Sequence, residues 1–181
     1  MSLQFQEETV ADCWNEIMPL ANTHWAGTKS YRRHQPFQPS FARYEHCNNL
    51  GMFTLYTARD GTALVGYFGV YVTPSMHSQL LMATEDTFFL LPDYRGGRNA
   101  LRFLQYIERQ LRLRGVIEIM FSCEIDNETG IKKLLDFLDY QPVIMQYSKQ
   151  FTDSAQSESA ADSGVTLKEP AYVHAVSTTS S

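Results

Sequence analysis

The residues best suited to chemistry lie in one run, Leu90-Leu91-Pro92-Asp93-Tyr94-Arg95-Gly96-Gly97-Arg98-Asn99-Ala100-Leu101. It reads as a strand passing into a Gly-rich turn that opens a helix. Such a turn binds anions. The first N–H groups of a helix lack intrahelical partners and point outward. The helix dipole adds roughly half a positive charge at that end. Gly96 and Gly97 let a phosphate approach the backbone, and Arg95 and Arg98 supply ionic donors that suit phosphate oxygens. Charge follows the same plan. Residues 95–114 hold six of the 15 basic residues and a single acid, Glu108, so this stretch carries +5 and the rest of the chain −10. For Arg102, Arg109 and Arg112 a solvated helix face is the simpler reading.

The type of phosphate site is narrowed by what is missing. A Walker loop needs Lys-Ser or Lys-Thr after its second glycine, and neither follows. A Rossmann fingerprint belongs after a first parallel strand, whereas this turn follows what reads as an antiparallel meander. Other candidates are weaker. Glu45-His46-Cys47 has metal-capable atoms but no second cluster at ligand spacing, so no metal is expected. Cys123 precedes Glu124, an acid that raises a thiol's pKa, and reads as a structural cysteine. Tyr31–Phe37 mixes aromatics with bases, as either a surface loop or a nucleic-acid loop would.

The elements that must position the turn follow from periodicity. Residues 7–22 read as a helix, with Val10, Cys13, Trp14, Ile17 and Leu20 at helical spacing and Pro19 expected to kink or end it. A short helix is expected at Phe41–Asn48. The period then becomes two. Met52–Ala58, Thr62–Val72 and Leu80–Leu91 read as strands, joined by the Asp60-Gly61 hairpin signal and by Thr73-Pro74-Ser75. Gly66 and Gly69 suggest a bulge or a close backbone approach. Arg98–Arg114 is an amphipathic helix ended by Gly115. Val116–Cys123 reads as a strand, Glu128–Leu138 as a helix and Gln141–Phe151 as a final strand. This is an α/β order with a mixed sheet.

Composition bounds the rest. The chain has 181 residues, 44% of them hydrophobic, which suffices for one well-packed domain. A net charge of −5 disfavours general nucleic-acid binding. No apolar run approaches the ~20 residues of a membrane span. The start of the chain lacks the pattern of a signal peptide. Three scattered cysteines argue for a reducing, cytoplasmic setting. After Phe151 the composition changes: residues 152–181 contain eleven Ser or Thr and one aromatic, Tyr172. The expected organisation is a domain at 1–151 and a Ser/Thr/Ala-rich tail at 152–181. The apolar groups within 165–176 are either incidental or a docking arm for a partner or a second copy.

Residues Pro92-Asp93-Tyr94-Arg95-Gly96-Gly97-Arg98-Asn99-Ala100 resemble the acetyl-CoA-binding motif of the GNAT (Gcn5-related N-acetyltransferase) superfamily, Arg/Gln-x-x-Gly-x-Gly/Ala, commonly preceded by Pro-Glu-Tyr. The element order is similar over roughly 1–151, including Leu64-Val65-Gly66-Tyr67 and Asn127. The overall flavour resembles GNAT-like proteins of bacteriophages. The resemblance implies a mixed, mostly antiparallel sheet flanked by helices, with a splayed strand leading into the phosphate-binding turn. It implies acetyl-CoA, with pyrophosphate on the N–H groups of residues 95–100 and the pantetheine arm beside Phe89, Leu90 and Leu91. Family members often keep an acidic base on the strand before the turn, here Glu85 or Asp86. Successive strand residues face opposite ways, so one of the two can face the cleft. Two departures stand out: Arg98 replaces the motif's middle glycine, and Leu134 or Leu135 stands where family members often place a general-acid Tyr.

The implied activity is transfer of an acetyl group to a primary amine of a small molecule or protein, by direct attack in a ternary complex. The alternative is a catalytically inactive GNAT-fold interaction module, such as a bacteriophage virion component docking through the tail.

Overall fold

Leu3 and Phe5 alternate with polar residues, and this short stretch pairs rather than coils. In the computed structural model, which describes residues 3–27, 36–123, 130–147 and 149, Gln4–Glu8 is the first strand, β1. It runs antiparallel to Phe53–Asp60 (β2), with Gln4 opposite Arg59 and Glu8 opposite Leu55. The expected helix at residue 7 therefore starts later, as α1 at Val10–Gly27. The reason is local. Thr9 Oγ1 accepts from the Asp12 N–H and donates to the Asp12 carboxylate, so Thr9 caps the helix. Pro19 neither ends nor shortens α1. It lies on the exposed side, where water can take the carbonyl it leaves unpaired.

Phe41–Asn49 forms α2. The meander follows as expected: β2, then Ala63–Pro74 (β3) and Leu81–Leu90 (β4), all antiparallel neighbours. A 3-10 turn at Pro92–Tyr94 leads into α3, Asn99–Leu113. Of the predicted Val116–Cys123 strand only Glu118–Met120 pairs, as β5, parallel to β4. Ile131–Phe137 is α4. The sheet order is β1-β2-β3-β4-β5.

The sheet has a core on each face. Phe68, Val70, Leu90 and Val72 pack with Phe103, Leu104, Ile107 and Leu111 of α3 and with α4. Phe53, Leu55, Leu64, Tyr67 and Phe89 pack with Val10, Cys13 and Ile17 of α1 and with α2. Met1–Gln141 forms one compact unit and Pro142–Ser181 another. The predicted strand Gln141–Phe151 is corrected: its described residues, 141–147 and 149, contain no strand. Pro142 lacks the N–H a ladder needs, and Val143, Ile144, Met145 and Tyr147 stay exposed instead of alternating between buried and exposed. The tail at 152–181 lies outside the described residues.

Two ion pairs that share Arg59 tie β1, β2 and α1. Arg59 donates to both carboxylate oxygens of Glu8 at 2.9 Å and reaches Glu16 at 2.9 Å. Thr57 Oγ1 also donates to Glu8. Burial works against the Glu8 charge, but these donors outweigh it and hold the carboxyl at about 2, below its ordinary 4.5. A carboxyl depressed by folding stabilises fully above its unfolded pKa and stops doing so as pH falls through the folded one. The window here is pH 4.5 down to 2. We expect Glu8→Gln to cost about 2 kcal/mol at pH 7 and almost nothing at pH 2. Thermal melts of both proteins between pH 2 and pH 7 check this; parallel curves would remove Glu8 from the acid response.

Candidate functional site

The sequence expectation of a strand feeding a Gly-rich turn is met at the end of β4. Leu91 N–H donates to Val65 O at 2.9 Å and keeps the chain against β3. The turn is then tied down by side chains. Tyr94 Oη donates to Asp60 Oδ2 at 3.0 Å, Asn99 Nδ2 to Tyr94 O at 3.2 Å, and Arg95 Nε to Leu90 O at 2.7 Å. Gly97 has φ +65, a left-handed conformation that favours glycine. A Cβ at Gly96 or Gly97 would meet no atom within 4 Å, so the backbone there faces open space. No side chain caps α3, whose N-cap position is Arg98. Residues 95–98 are exposed, and Asn99 and Ala100 are half-buried. This fits a diphosphate: uncapped helix N–H groups, room for an oxyanion, and two guanidinium groups on the turn.

The strand that leads into it leaves its neighbour part-way. β4 and β5 pair only from Met82 opposite Glu118 to Thr84 opposite Met120. Beyond Thr84, β4 continues to Leu90 and no described strand lies on its β5 side. The strands part at Glu85, whose Oε2 accepts from Ser122 N–H at 3.3 Å. Phe88 and Phe121 meet edge to face at 5.9 Å on the α3 side. Phe89 points the other way. His24 of α1 stacks on its ring at 5.0 Å, and the Arg95 guanidinium lies 5.2 Å from its centroid. Burial and then the Arg95 charge lower the His24 pKa, favouring its neutral form.

Gly66 explains how β3 and β4 come close enough for this. A Cβ at Gly66 would lie 2.3 Å from Leu90 Cδ2 and 2.8 Å from Phe89 O. The second clash is with backbone, so the strand itself must move. Gly66→Ala should lower stability by about 1–3 kcal/mol and shift the Phe89–Leu91 backbone. A melt and the amide chemical shifts of residues 88–91 check both; an unchanged melt would contradict the packing.

The two acids separate. The β3–β4 register runs from Gly69 opposite Thr87 to Val70 opposite Glu85, so Asp86 is an extra, bulged residue. Glu85 sits opposite Val70, a residue of the α3–α4 core, and turns to Ser122. Asp86 faces the other layer. Tyr44 Oη of α2 donates to Asp86 Oδ2 at 3.1 Å, and Thr87 Oγ1 donates to the same oxygen at 3.3 Å. The place opposite is kept open by Gly69, where a Cβ would come 2.8 Å from Phe53 Cζ and 3.4 Å from Asp86 Oδ2. Tyr44 and Tyr71 both pack on the Phe53 ring at 5.1 Å. Burial, then the negative charge of Asp86, pushes the phenols of Tyr44, Tyr67 and Tyr71 up, so all three stay protonated.

Of the residues named from sequence, Phe89–Leu91 and Arg95–Ala100 lie at the C-terminal end of β4 and on the turn after it, Asp86 lies mid-strand on the α1–α2 face, and Glu85 turns to the opposite face. Asn127 lies outside the described residues, as do residues 31–35 of the Tyr31–Phe37 loop. Leu135 is buried in the α3-side core and Leu134 packs against it. Sequence reasoning missed His24, Tyr44, Tyr67 and Tyr71. Tyr67-x-Gly69-x-Tyr71 was a usable signal, since a strand puts these three on one face. Among the described residues no group of three or more His, Cys, Asp or Glu could hold a metal ion, and no helix is long and apolar enough to cross a membrane.

Solved structures share this architecture. A ribosomal-protein-alanine N-acetyltransferase from Brucella melitensis biovar Abortus 2308 superposes with a TM-score of 0.65 at 18% identity, over 83% of this chain and 100% of that one. An aminoglycoside acetyltransferase from an uncultured soil metagenomic sample gives 0.68 at 13% identity, over 84% and 100%. A transcriptional regulator from Bacillus halodurans C-125 gives 0.66 at 17% identity, over 83% and 100%. At these identities the likeness is one of fold. A search of curated proteins found no match. The sequence itself matches the acetyltransferase (GNAT) family over residues 14–132. That span contains the bulged Asp86, the splayed β4 and the Gly-rich turn, and on this ground the chain belongs to the GNAT family.

Proposed function

We propose that the protein is an acetyl-CoA-dependent N-acyltransferase that acetylates a primary amine by direct attack in a ternary complex. The observation that carries this reading is the splay of β4 from β5 beyond Thr84, ending on an uncapped helix N-terminus with open backbone at Gly96 and Gly97. Acetyl-CoA supplies the activated acyl group when bound. The N–H groups of residues 96–100, with Arg95 and Arg98, would hold its diphosphate. The Phe89–Leu91 backbone would bind its amide-bearing arm, and Asn127 would join the site from the segment before α4. Asp86 is the proton acceptor that leaves the acceptor nitrogen its lone pair; its own layer of the fold separates it from Glu85. Small-molecule and protein amines both suit this chemistry, as the names of the aminoglycoside and ribosomal-protein acetyltransferases illustrate. A cytoplasmic setting, with reduced Cys13, Cys47 and Cys123, belongs to the same proposal.

Calorimetry with acetyl-CoA tests it. Micromolar binding is expected, and no heat at millimolar cofactor would defeat both the cofactor and the enzyme assignment. The competing reading is an inert GNAT-fold module, with the bacteriophage particle as its setting. It is favoured by Leu134 and Leu135 packing in the core where a tyrosine acid is often found. It requires that deleting 152–181 abolish assembly while the full chain shows no turnover.

A further inference from the structure

The Arg95 guanidinium is engaged on the strand before the turn. Its Nε donates to Leu90 O at 2.7 Å, and its central carbon lies 5.2 Å from the centre of the Phe89 ring. That carbonyl is on the open edge of β4. Leu90 lies opposite Gly66 of β3. Leu91 N–H donates to Val65 O, and Phe89 O lies 2.8 Å from the Cβ position of Gly66, so the residues on either side of Leu90 turn their polar groups to β3. Polar groups alternate along a strand, so those of Leu90 turn away from β3. On that side β5 has already parted, its last pair being Thr84 with Met120. Among the described strands none pairs with Leu90 O, and Arg95 satisfies it instead. We infer that Arg95 is a two-position residue. It holds Leu90 O, as in this structure, until an extended amide-bearing ligand pairs with β4 and displaces it, and it then reaches a diphosphate on the turn. This rests on the acetyl-CoA reading for naming the two ligand parts, and adds that they bind cooperatively through one side chain.

Space forces the exchange. A strand-like ligand pairs about 4.8 Å from β4. A guanidinium bonded to Leu90 O at 2.7 Å lies in that lane, so ligand and side chain compete for it. The ligand's own N–H then satisfies Leu90 O. Arg95 gives up a bond to a neutral carbonyl and gains a bidentate one to an anion, which is stronger. The path is short. Arg95 closes the Pro92–Tyr94 turn and stands two residues before Gly97, whose backbone faces open space. Arg95 is exposed, so no core has to open, and among the described residues no carboxylate forms an ion pair with it. The alternative is a fixed brace at the corner between β4 and the turn. That corner is already held by Tyr94 Oη on Asp60, Asn99 Nδ2 on Tyr94 O and Leu91 N–H on Val65 O.

The test divides the cofactor on the full chain: reduced pantetheine probes the arm and ADP the diphosphate. Without ligand, the Arg95 Nε–H should give a slowly exchanging NMR signal, and pantetheine should abolish it. In titrations at about 0.15 M salt, saturating pantetheine should tighten ADP about 5-fold or more, and ADP should tighten pantetheine by the same factor. Arg95→Ala should act with opposite signs. Pantetheine, freed of its competitor, should bind about 3-fold or more tightly, and ADP about 5-fold or more weakly. The coupling should vanish. A fixed brace predicts weaker binding of both and no coupling in the parent chain. Arg109→Ala, an exposed arginine further along α3, should leave every constant unchanged. Thermal melts establish that both variants are folded. Weaker pantetheine binding by folded Arg95→Ala, or independent binding of the two probes to the parent chain, overturns the inference and leaves the acetyl-CoA reading standing. Failure of both probes and of acetyl-CoA to bind overturns both.

Discussion

Gly97→Glu should weaken acetyl-CoA binding by at least 100-fold while the protein stays folded. The backbone argument limits the cost to stability. Gly97 sits at φ +65, where an L side chain costs about 1–2 kcal/mol. No atom lies within 4 Å of its Cβ position, so nothing clashes. For a chain of this size, a loss of that order lowers the melting temperature by roughly 2–8 °C. The charge argument sets the larger effect. A carboxylate on the turn would lie near the bound diphosphate. Two like charges about 4 Å apart near a protein surface repel by about 4 kcal/mol before salt screening. That corresponds to roughly a 1000-fold loss, so 100-fold allows for screening. Gly97→Ala separates the terms: it carries the same backbone strain without the charge and should lose less than 10-fold. Gly96→Ala has ordinary backbone and open space, so its stability should be unchanged. Calorimetry with melts on the three variants makes the comparison. Full affinity in Gly97→Glu would place acetyl-CoA away from this turn.

Much of the frame that carries this turn was legible because its signals are local. Asp60-Gly61 marks the β2–β3 hairpin, with Gly61 at φ +60, and Gly115 ends α3 with φ +83. The α3 face could be read from Ala100, Leu104, Ile107 and Leu111; the last three are fully buried, as is Phe103 beside them, and Ala100 is half-buried. Gly66 and Gly69 pointed to a bulge or a close backbone approach; the close approach occurs at Gly66, and the extra residue opposite Gly69 lies on β4, as Asp86. β1 was missed because two glutamates before a helical pattern suit a helix dipole as well as a strand. The pairing of Glu8 with Arg59, 51 residues away, decides between them. The Thr9-x-x-Asp12 cap was the local clue. The tyrosines around Asp86 come from α2 and β3, and no linear spacing brings Tyr44 to residue 86. Alternation gave opposite faces for Glu85 and Asp86 but not which face each takes, because a bulge changes the count. The final strand failed for a related reason: apolar residues at 143–147 do not make a strand without a ladder and a face to bury.

Asp86→Asn should reduce turnover with a primary amine by about 100-fold or more at pH 7, the usual scale for removing a positioned base. The pH dependence distinguishes this role from a structural one. An alkylamine is almost wholly protonated at pH 7, so the enzyme must remove a proton before attack. Raising the pH supplies neutral amine from solution, and its share grows about tenfold per unit until the amine's own pKa near 10. The deficit of Asp86→Asn should therefore shrink as pH rises from 7 to 9. Tyr44, Tyr67 and Tyr71 do not confuse this range, because burial and the Asp86 charge hold their phenols above their ordinary pKa of 10. In the Asn variant that charge is gone, yet burial, the larger cause, still holds the phenols up. Glu85→Gln supplies the contrast. Its carboxylate turns to Ser122 on the other face, so its turnover should change by less than 3-fold with no pH-dependent recovery. The measurement is kcat/KM for one alkylamine against pH, at saturating acetyl-CoA, for the three proteins. A deficit in Asp86→Asn that stays constant from pH 7 to 9 would make Asp86 a positioning residue; a large pH-dependent deficit in Glu85→Gln instead would move the base to the opposite face of β4.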